Sequence, residues 1–376
     1  MRCVAFVLLA TLAAPVFGGL PQANVPPAPN AVRVLVPIFS GGRIGRAVAS
    51  VITLQVWRTL RTNTDDSTGT TGEVARDVPL SAPSFEAAEE RGRLRGAAVV
   101  VWGEAVELED GVVVQAHLAL VERSRVPSTA WEVTTHGGRE IISLDLLHRH
   151  YDFEPITLPR SLIASVGELS SLPIYKTATS RQILGHVGND PFSAVEWSGD
   201  AIKIGSNKVQ GWIRLKQLDQ LENEVDSFTG GVVRILRRDF LGADELFGAV
   251  LRHENLPETI AIDASIYRAI SRYHALSRGG RRYSTYAPYP IEPFEILRLE
   301  NELRAAIDRN PYMKSSAAAL MIVEAAEAQR LALDAEEERL ALQQLAASTN
   351  RYRTLFPPDD RFMNQIDALI RAVRQP

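Results

Sequence analysis

Thiol chemistry is nearly missing from this chain. Its 376 residues include one cysteine, Cys3, so there is no disulfide framework within the chain and no thiol nucleophile beyond position 3. A basic excess is missing too: 41 Lys and Arg stand against 45 Asp and Glu, a net charge of −4. No global field gathers nucleic acid by counterion release, and nucleic-acid binding drops out of the expected functions. The apolar run near the amino terminus is too short to span a bilayer. The hydrolase signatures G-x-S-x-G, H-E-x-x-H and S-x-x-K with K-T-G are absent, and neither glycine pattern of a nucleotide loop occurs.

What is present has ordinary globular composition, 45% hydrophobic and 23% charged, on a chain longer than one core usually organises, which predicts two or three domains. The start, MRCVAFVLLATLAAPVFGG, places Arg2 before an apolar run from Val4 to Phe17 and small residues at Val16 and Gly18. This predicts a secretory signal over 1–19, hence a periplasmic or extracellular protein with no membrane anchor after cleavage. Cys3 lies ahead of the apolar run, where it does not serve as a lipid-attachment site. Residues 20–30 hold four prolines and predict an extended tether.

Between 31 and 160 the alternation of Val32, Val34, Val36 and Ile38 predicts a strand, and Ser40 to Gly45 a turn into a helix with an apolar stripe of Ile44, Val48, Ile52, Val56 and Leu60. A polar loop follows, then a helix from Ser84 to Leu94. The strand Ala97 to Trp102 turns at Asp110-Gly111 into its partner, Val112 to Val121. With Pro37-Ile38-Phe39 closing the first strand, Glu86 to Arg95 in the second helix and Trp102-Gly103-Glu104 in the second strand, the segment resembles the TolB-like amino-terminal domains of bacterial envelope proteins. That resemblance implies an α/β interaction domain without catalytic residues.

Residues 168–220 alternate short apolar runs with Gly, Asn and Asp, the pattern of a small β-barrel. The runs are Pro173-Ile174-Tyr175, Ile183-Leu184-Gly185, Phe192 to Trp197, Ala201-Ile202-Lys203-Ile204 and Gly211-Trp212-Ile213. In that order they are similar to bacterial SH3-like domains, although the usual Asn-Val-Arg-Ser-Gly-Pro opening is replaced by Ile174 to Thr179. Tyr175, Trp197 and Trp212 read either as an aromatic binding ledge or as core filling. The resemblance predicts an autonomous barrel.

From Asp239 the period turns helical within a region of 225–376. Helices are predicted over Asp244 to Glu254, Glu258 to Leu276 and Glu292 to Arg309, with one long helix or two between Pro311 and Pro357, and a last one from Asp359 to Arg374. The succession is loosely similar to tetratricopeptide solenoids, without a clean repeat of about 34 residues. The loop Arg278 to Pro293 concentrates Arg281, Arg282, Tyr283 and Tyr286, residue types enriched at binding hot spots.

The fold class expected is thus α+β and multidomain: an α/β layer, an SH3-like β-barrel and an all-α repeat or bundle. The function expected is that of an exported, non-catalytic binding or scaffold protein without a cofactor, meeting an envelope protein or a peptidoglycan-type ligand. The alternative is a metal-dependent envelope hydrolase. His148, His150 and Asp152 in the H-x-H-x-D run would be its ligands, since neutral imidazoles with a carboxylate suit zinc.

Overall fold

The structure is a computed structural model. It describes residues 31–60, 71–121, 130–135, 138–143, 148–167, 172–188, 190–206, 208–214, 223–277, 293–312, 314–330 and 335–356, with Pro27, Leu169, Asn364, Asp367 and Arg371 besides. The expected signal and nearly all of the tether lie outside these residues, as do most of the last expected helix and the loop bearing Arg281, Arg282, Tyr283 and Tyr286.

Strand β1 (Ala31–Pro37) is followed by helix α1 (Gly42–Thr59), β2 (Thr71–Asp77), α2 (Phe85–Arg95) and the hairpin of β3 (Val99–Glu107) and β4 (Val112–Leu120). Parallel pairing of β1 with both β2 and β3 makes it a central strand. β4 runs antiparallel to β3 and carries the short strands β7 (His150–Asp152) and β8 (Ile156–Leu158) on its far side. A separate hairpin, β5 (Ala130–Thr135) with β6 (Gly138–Ser143), was not legible in the sequence.

β1 is buried along its whole length because both faces are covered, the usual reason for an uninterrupted apolar strand. Val32, Val34 and Val36 pack with α1, while Leu35 points to the other side with Ala75, Trp102 and Ala88 of α2. Sequence reading missed β2 entirely. Its charges are neutralised inside the fold: Arg33 spans to Glu73 at 3.0 Å, and Arg95 holds Asp77 at 2.8 Å.

α1 departs from the expected single apolar stripe. Ala47 through Trp57 are all buried, since the sheet covers one side and α3 (Arg160–Val166), α4 (Glu224–Leu236) and the five-stranded sheet cover the rest. Its polar side chains are satisfied in place. Ser50 Oγ donates to Arg46 O and accepts from the Leu169 amide, and Gln55 Oε1 accepts from Asn223 Nδ2. The Ser40 to Gly45 segment is a turn, as expected. Gly41 sits at φ +112°, where a Cβ would also meet Ala105 O at 2.2 Å, so the glycine is there for backbone packing.

Strands β9 (Pro173–Tyr175), β10 (Ile183–His186), β11 (Ser193–Ser198), β12 (Ala201–Gly205) and β13 (Gln210–Arg214) match the five expected runs. They do not close. Their order is β10-β9-β13-β12-β11, an open sheet with β10 and β11 at its two ends, and no sheet among the described residues forms the closed barrel that was expected. The reason lies in what its inner face does. Ile174, Val187, Phe192, Ile202, Ile204 and Ile213 pack into the same cluster as α1 and β1, so the α/β layer supplies the cover that a closed barrel would supply to itself. Phe192 sits edge-on to Trp57 at 5.6 Å, and its backbone exchanges hydrogen bonds with Val74 of β2 at 2.9 and 3.1 Å.

The helices continue as α5 (Phe240–Val250), α6 (Glu258–Ser277), α7 (Pro293–Arg309), α8 (Lys314–Arg330) and α9 (Ala335–Leu355). Between Pro311 and Pro357 there are therefore two helices. They run antiparallel: Ala328 late in α8 packs with Ala341 early in α9, while Ala317 and Leu320 share a groove with Tyr352 and Phe356. α4 escaped sequence reading because Gly230-Gly231 resembles a turn. Those glycines instead permit close approach of Thr59 and the Phe247 ring. α6 joins two cores, sending Ile260, Ala264 and Tyr267 into the main cluster and Ile262, Ile266 and Ile270 into a second with α7, α8 and α9. The chain is an α+β protein.

Candidate functional site

The H-x-H-x-D run falls at and just before β7, where His150 and Asp152 share one strand face but are held by different partners. His150 Nε2 meets Glu89 Oε1 at 2.7 Å while its ring stacks on Phe85 at 4.3 Å. Asp152 accepts from His117 Nδ1 at 2.5 Å. His148 turns to α6, where its Nδ1 lies 2.8 Å from Asp263 Oδ2. The three candidate ligands are thus distributed over three partners, and no group of three or more His, Cys, Asp or Glu among the described residues converges as a metal site.

Asp263 is the structural centre of this corner. Fully buried, it accepts through Oδ2 from the Tyr151 hydroxyl at 3.0 Å, the His148 ring at 2.8 Å and the His148 amide at 3.3 Å. The sequence held one signal for it, a lone carboxylate inside the apolar stretch Ile260 to Ile266 of α6. The hydrogen bond to Asp263 raises the His148 pKa above its ordinary 6.5, against the opposing effect of burial. Burial pushes the Tyr151 hydroxyl well above its ordinary value, so it stays a neutral donor.

Among the carboxyls elsewhere that burial shifts upward, Glu300 included, two reach about 7. Burial raises Asp226, in the capping box of α4, to about 7, and Glu324 of α8 to about 7 despite Arg304 at 2.8 Å. In each of these three groups the folded chain holds a proton that the unfolded chain releases at lower pH. Stability contributed by His148 is complete below 6.5 and is lost as pH rises through its raised value, and the two carboxyls lower stability as pH climbs from their ordinary range to about 7. Urea unfolding at pH 5, 6, 7 and 8 is expected to show stability falling across this window, with a shallower upper part in His148→Ala. Rising stability from pH 5 to 8 would contradict the assignment.

The outward face of the five-stranded sheet gathers a second set. Register pairs Glu196 with Lys203, Lys203 with Trp212, Trp212 with Tyr175, and Tyr175 with Ile183, which makes one row across all five strands. Lys203 Nζ lies 6.0 Å from the Trp212 ring centre, and the Arg214 guanidinium covers Tyr175 at 4.1 Å. Arg214 also donates to the carbonyls of Ala178 and Ser180, fixing the turn after β9.

Of the expected aromatic ledge, Trp212 is 9% exposed and is largely covered, while Tyr175 is half-buried beneath Arg214. The side chain of Trp197 lies outside the described residues. Exposure instead concentrates on β10, where Ile183 is 51% and Leu184 45% exposed. Sequence reading placed this strand but gave no role to its apolar residues, and alternation around Lys203 was the available signal for the outer face.

No family model, curated protein or solved structure matches this chain. Among the described residues no helix is long and apolar enough to cross a membrane.

Proposed function

We propose that this chain is an exported, non-catalytic binding or scaffold protein of the bacterial cell envelope. In this reading 31–160 act as a TolB-like domain, 168–220 as an SH3-like module and 225–376 as a helical, loosely tetratricopeptide-like region. The observation that carries it is the end strand of the open sheet. β10 pairs with β9 on one side, keeps its other side open among the described residues, and exposes Ile183 and Leu184 beside a row of aromatic and charged side chains. Such an edge pairs readily with an extended segment, backbone bonds giving affinity and flanking side chains selectivity. A protein partner therefore fits better than a peptidoglycan-type ligand.

The test is crosslinking in cells of the native host, followed by identification of the captured protein and its reconstitution with the purified chain. Replacing Ile183 and Leu184 together with Lys is expected to abolish capture while unfolding free energy changes by less than about 0.5 kcal/mol per site, as exposed substitutions do. Undiminished capture by a stable variant would remove β10 from the interface. Intact mass of the envelope-fraction protein checks the export reading, with a mature start expected near Gly19 or Leu20.

A further inference from the structure

We propose that β10 takes an acidic, extended segment of a partner protein as an added strand, an inference that rests on the reading of this edge given above and names the chemistry of its partner. From Leu169 to Gly188 the chain holds Lys176 and Arg181 but neither Asp nor Glu. Both cations are exposed, and neither meets a carboxylate among the described residues. Arg214 of β13 adds a third. It covers the Tyr175 ring at 4.1 Å and donates to the carbonyls of Ala178 and Ser180, so its charge meets a ring face and two neutral acceptors, not a counter-ion. The next acid along the chain, Asp190, is held by Lys208 at 2.9 Å. A chain of net charge −4 thus keeps three cations without a carboxylate around one hairpin.

The backbone of β10 keeps the order that strand addition needs. Its bulge, between Ile183 and Gly185, is bracketed by Lys176 N donating to Gln182 O at 3.0 Å and Val187 N donating to Leu172 O at 2.9 Å. The turn ahead of it is fixed as well: Ser180 N donates to Thr177 Oγ1 at 2.9 Å and Gln182 N to Ser180 Oγ at 3.0 Å. Arg181 precedes Ile183 by two residues, the spacing that puts both on one face of an extended chain. An incoming strand therefore meets positive charge and apolar surface on the same side, at alternate positions. Across neighbouring strands opposite charges attract and like charges repel. Cations at a sheet edge guard it against pairing with a second copy, because each copy brings Lys176 and Arg181. An acidic segment turns the same guard into attraction.

The test uses the full chain and defined peptides, followed by calorimetric titration. The probe is acetyl-Ser-Glu-Thr-Val-Val-Thr-Glu-Ser-amide, whose mirror-symmetric order sets one valine and one glutamate two apart on each face in either strand direction. One control carries Lys in place of both Glu. The other carries Pro in place of both Thr, which removes a backbone donor from each edge. The acidic probe is expected to bind one per chain, at least about tenfold more tightly than either control, and to weaken as salt rises from about 0.05 to about 0.5 M. The double variant Lys176→Glu, Arg181→Glu is expected to reverse the order and favour the lysine peptide. Ile183→Ser with Leu184→Ser is expected to weaken the acidic probe at least about tenfold. Arg93→Glu, on the exposed side of α2, is expected to change nothing. The thermal transition of each variant is measured alongside, so a folding defect is seen directly. No binding of the acidic probe, equal binding of either control, an unreversed order in the double variant, or an equal effect of Arg93→Glu would each overturn the proposal. If replacing Ile183 and Leu184 with Lys then still abolishes capture of the crosslinked partner, the acidic assignment falls and the edge reading stands. If capture is undiminished too, both fall.

Discussion

Phe192→Ala is expected to lower the unfolding free energy by about 3–5 kcal/mol, the cost of emptying a well-packed aromatic site. The ring is 2% exposed, edge-on to Trp57, and its backbone is the bridge that joins β11 to the outer edge of β2. It therefore supports two sheets at once. Chemical denaturation of the variant checks the magnitude, and limited proteolysis checks the location: cleavage is expected to appear first within 168–220. The same geometry revises the expectation of an autonomous barrel. An isolated 168–220 fragment would expose Ile174, Ile202, Ile204 and Ile213 on one open face, and it is expected to show no cooperative transition. A fragment that melts cooperatively by itself would show that the shared core is dispensable.

The second large effect is expected at Asp263. Asp263→Ala leaves the Tyr151 hydroxyl and the His148 amide without their acceptor in a buried corner, and should cost about 2–4 kcal/mol. Tyr151→Phe removes one bond and leaves the carboxylate its His148 partners, so about 1 kcal/mol is expected. Because the bond to Asp263 is the leading cause of the raised His148 pKa, that pKa should fall toward its ordinary value in Asp263→Asn, read by proton NMR of the imidazole. An unmoved His148 titration would mean that the Asp263 contact does not persist in solution.

Where the sequence was legible, one physical rule settled each element. Period-two alternation found β1, short apolar runs punctuated by Gly, Asn and Asp found all five strands between 173 and 214, an Asp-Gly turn found the β3–β4 hairpin, and period 3.6 found α6 and α7. It failed where tertiary partners override local pattern. β2, reading TGEVARD, looks like a solvated segment until Arg33 and Arg95 are brought to it from other elements. The double glycine of α4 looks like a break until Thr59 and Phe247 are set against it. α3 and β8 are too short to carry a period, and closure of the five-stranded sheet depended on a neighbour no local window contains.

The candidate sites divide in the same way. Spacing brought His148, His150 and Asp152 together on paper, but in the fold each is engaged by a different partner, Asp263, Glu89 and His117.

The full enclosure of α1 also bears on how the chain reaches its native state. Its two sides are completed at very different times during synthesis: β1 precedes it and β3 follows closely, whereas the Gln55 bond to Asn223 joins residues 168 positions apart. A chain synthesised from its amino terminus therefore carries a helix with an uncovered apolar flank until most of its length has emerged. Long-range closure of this kind slows folding and prolongs exposure to aggregation.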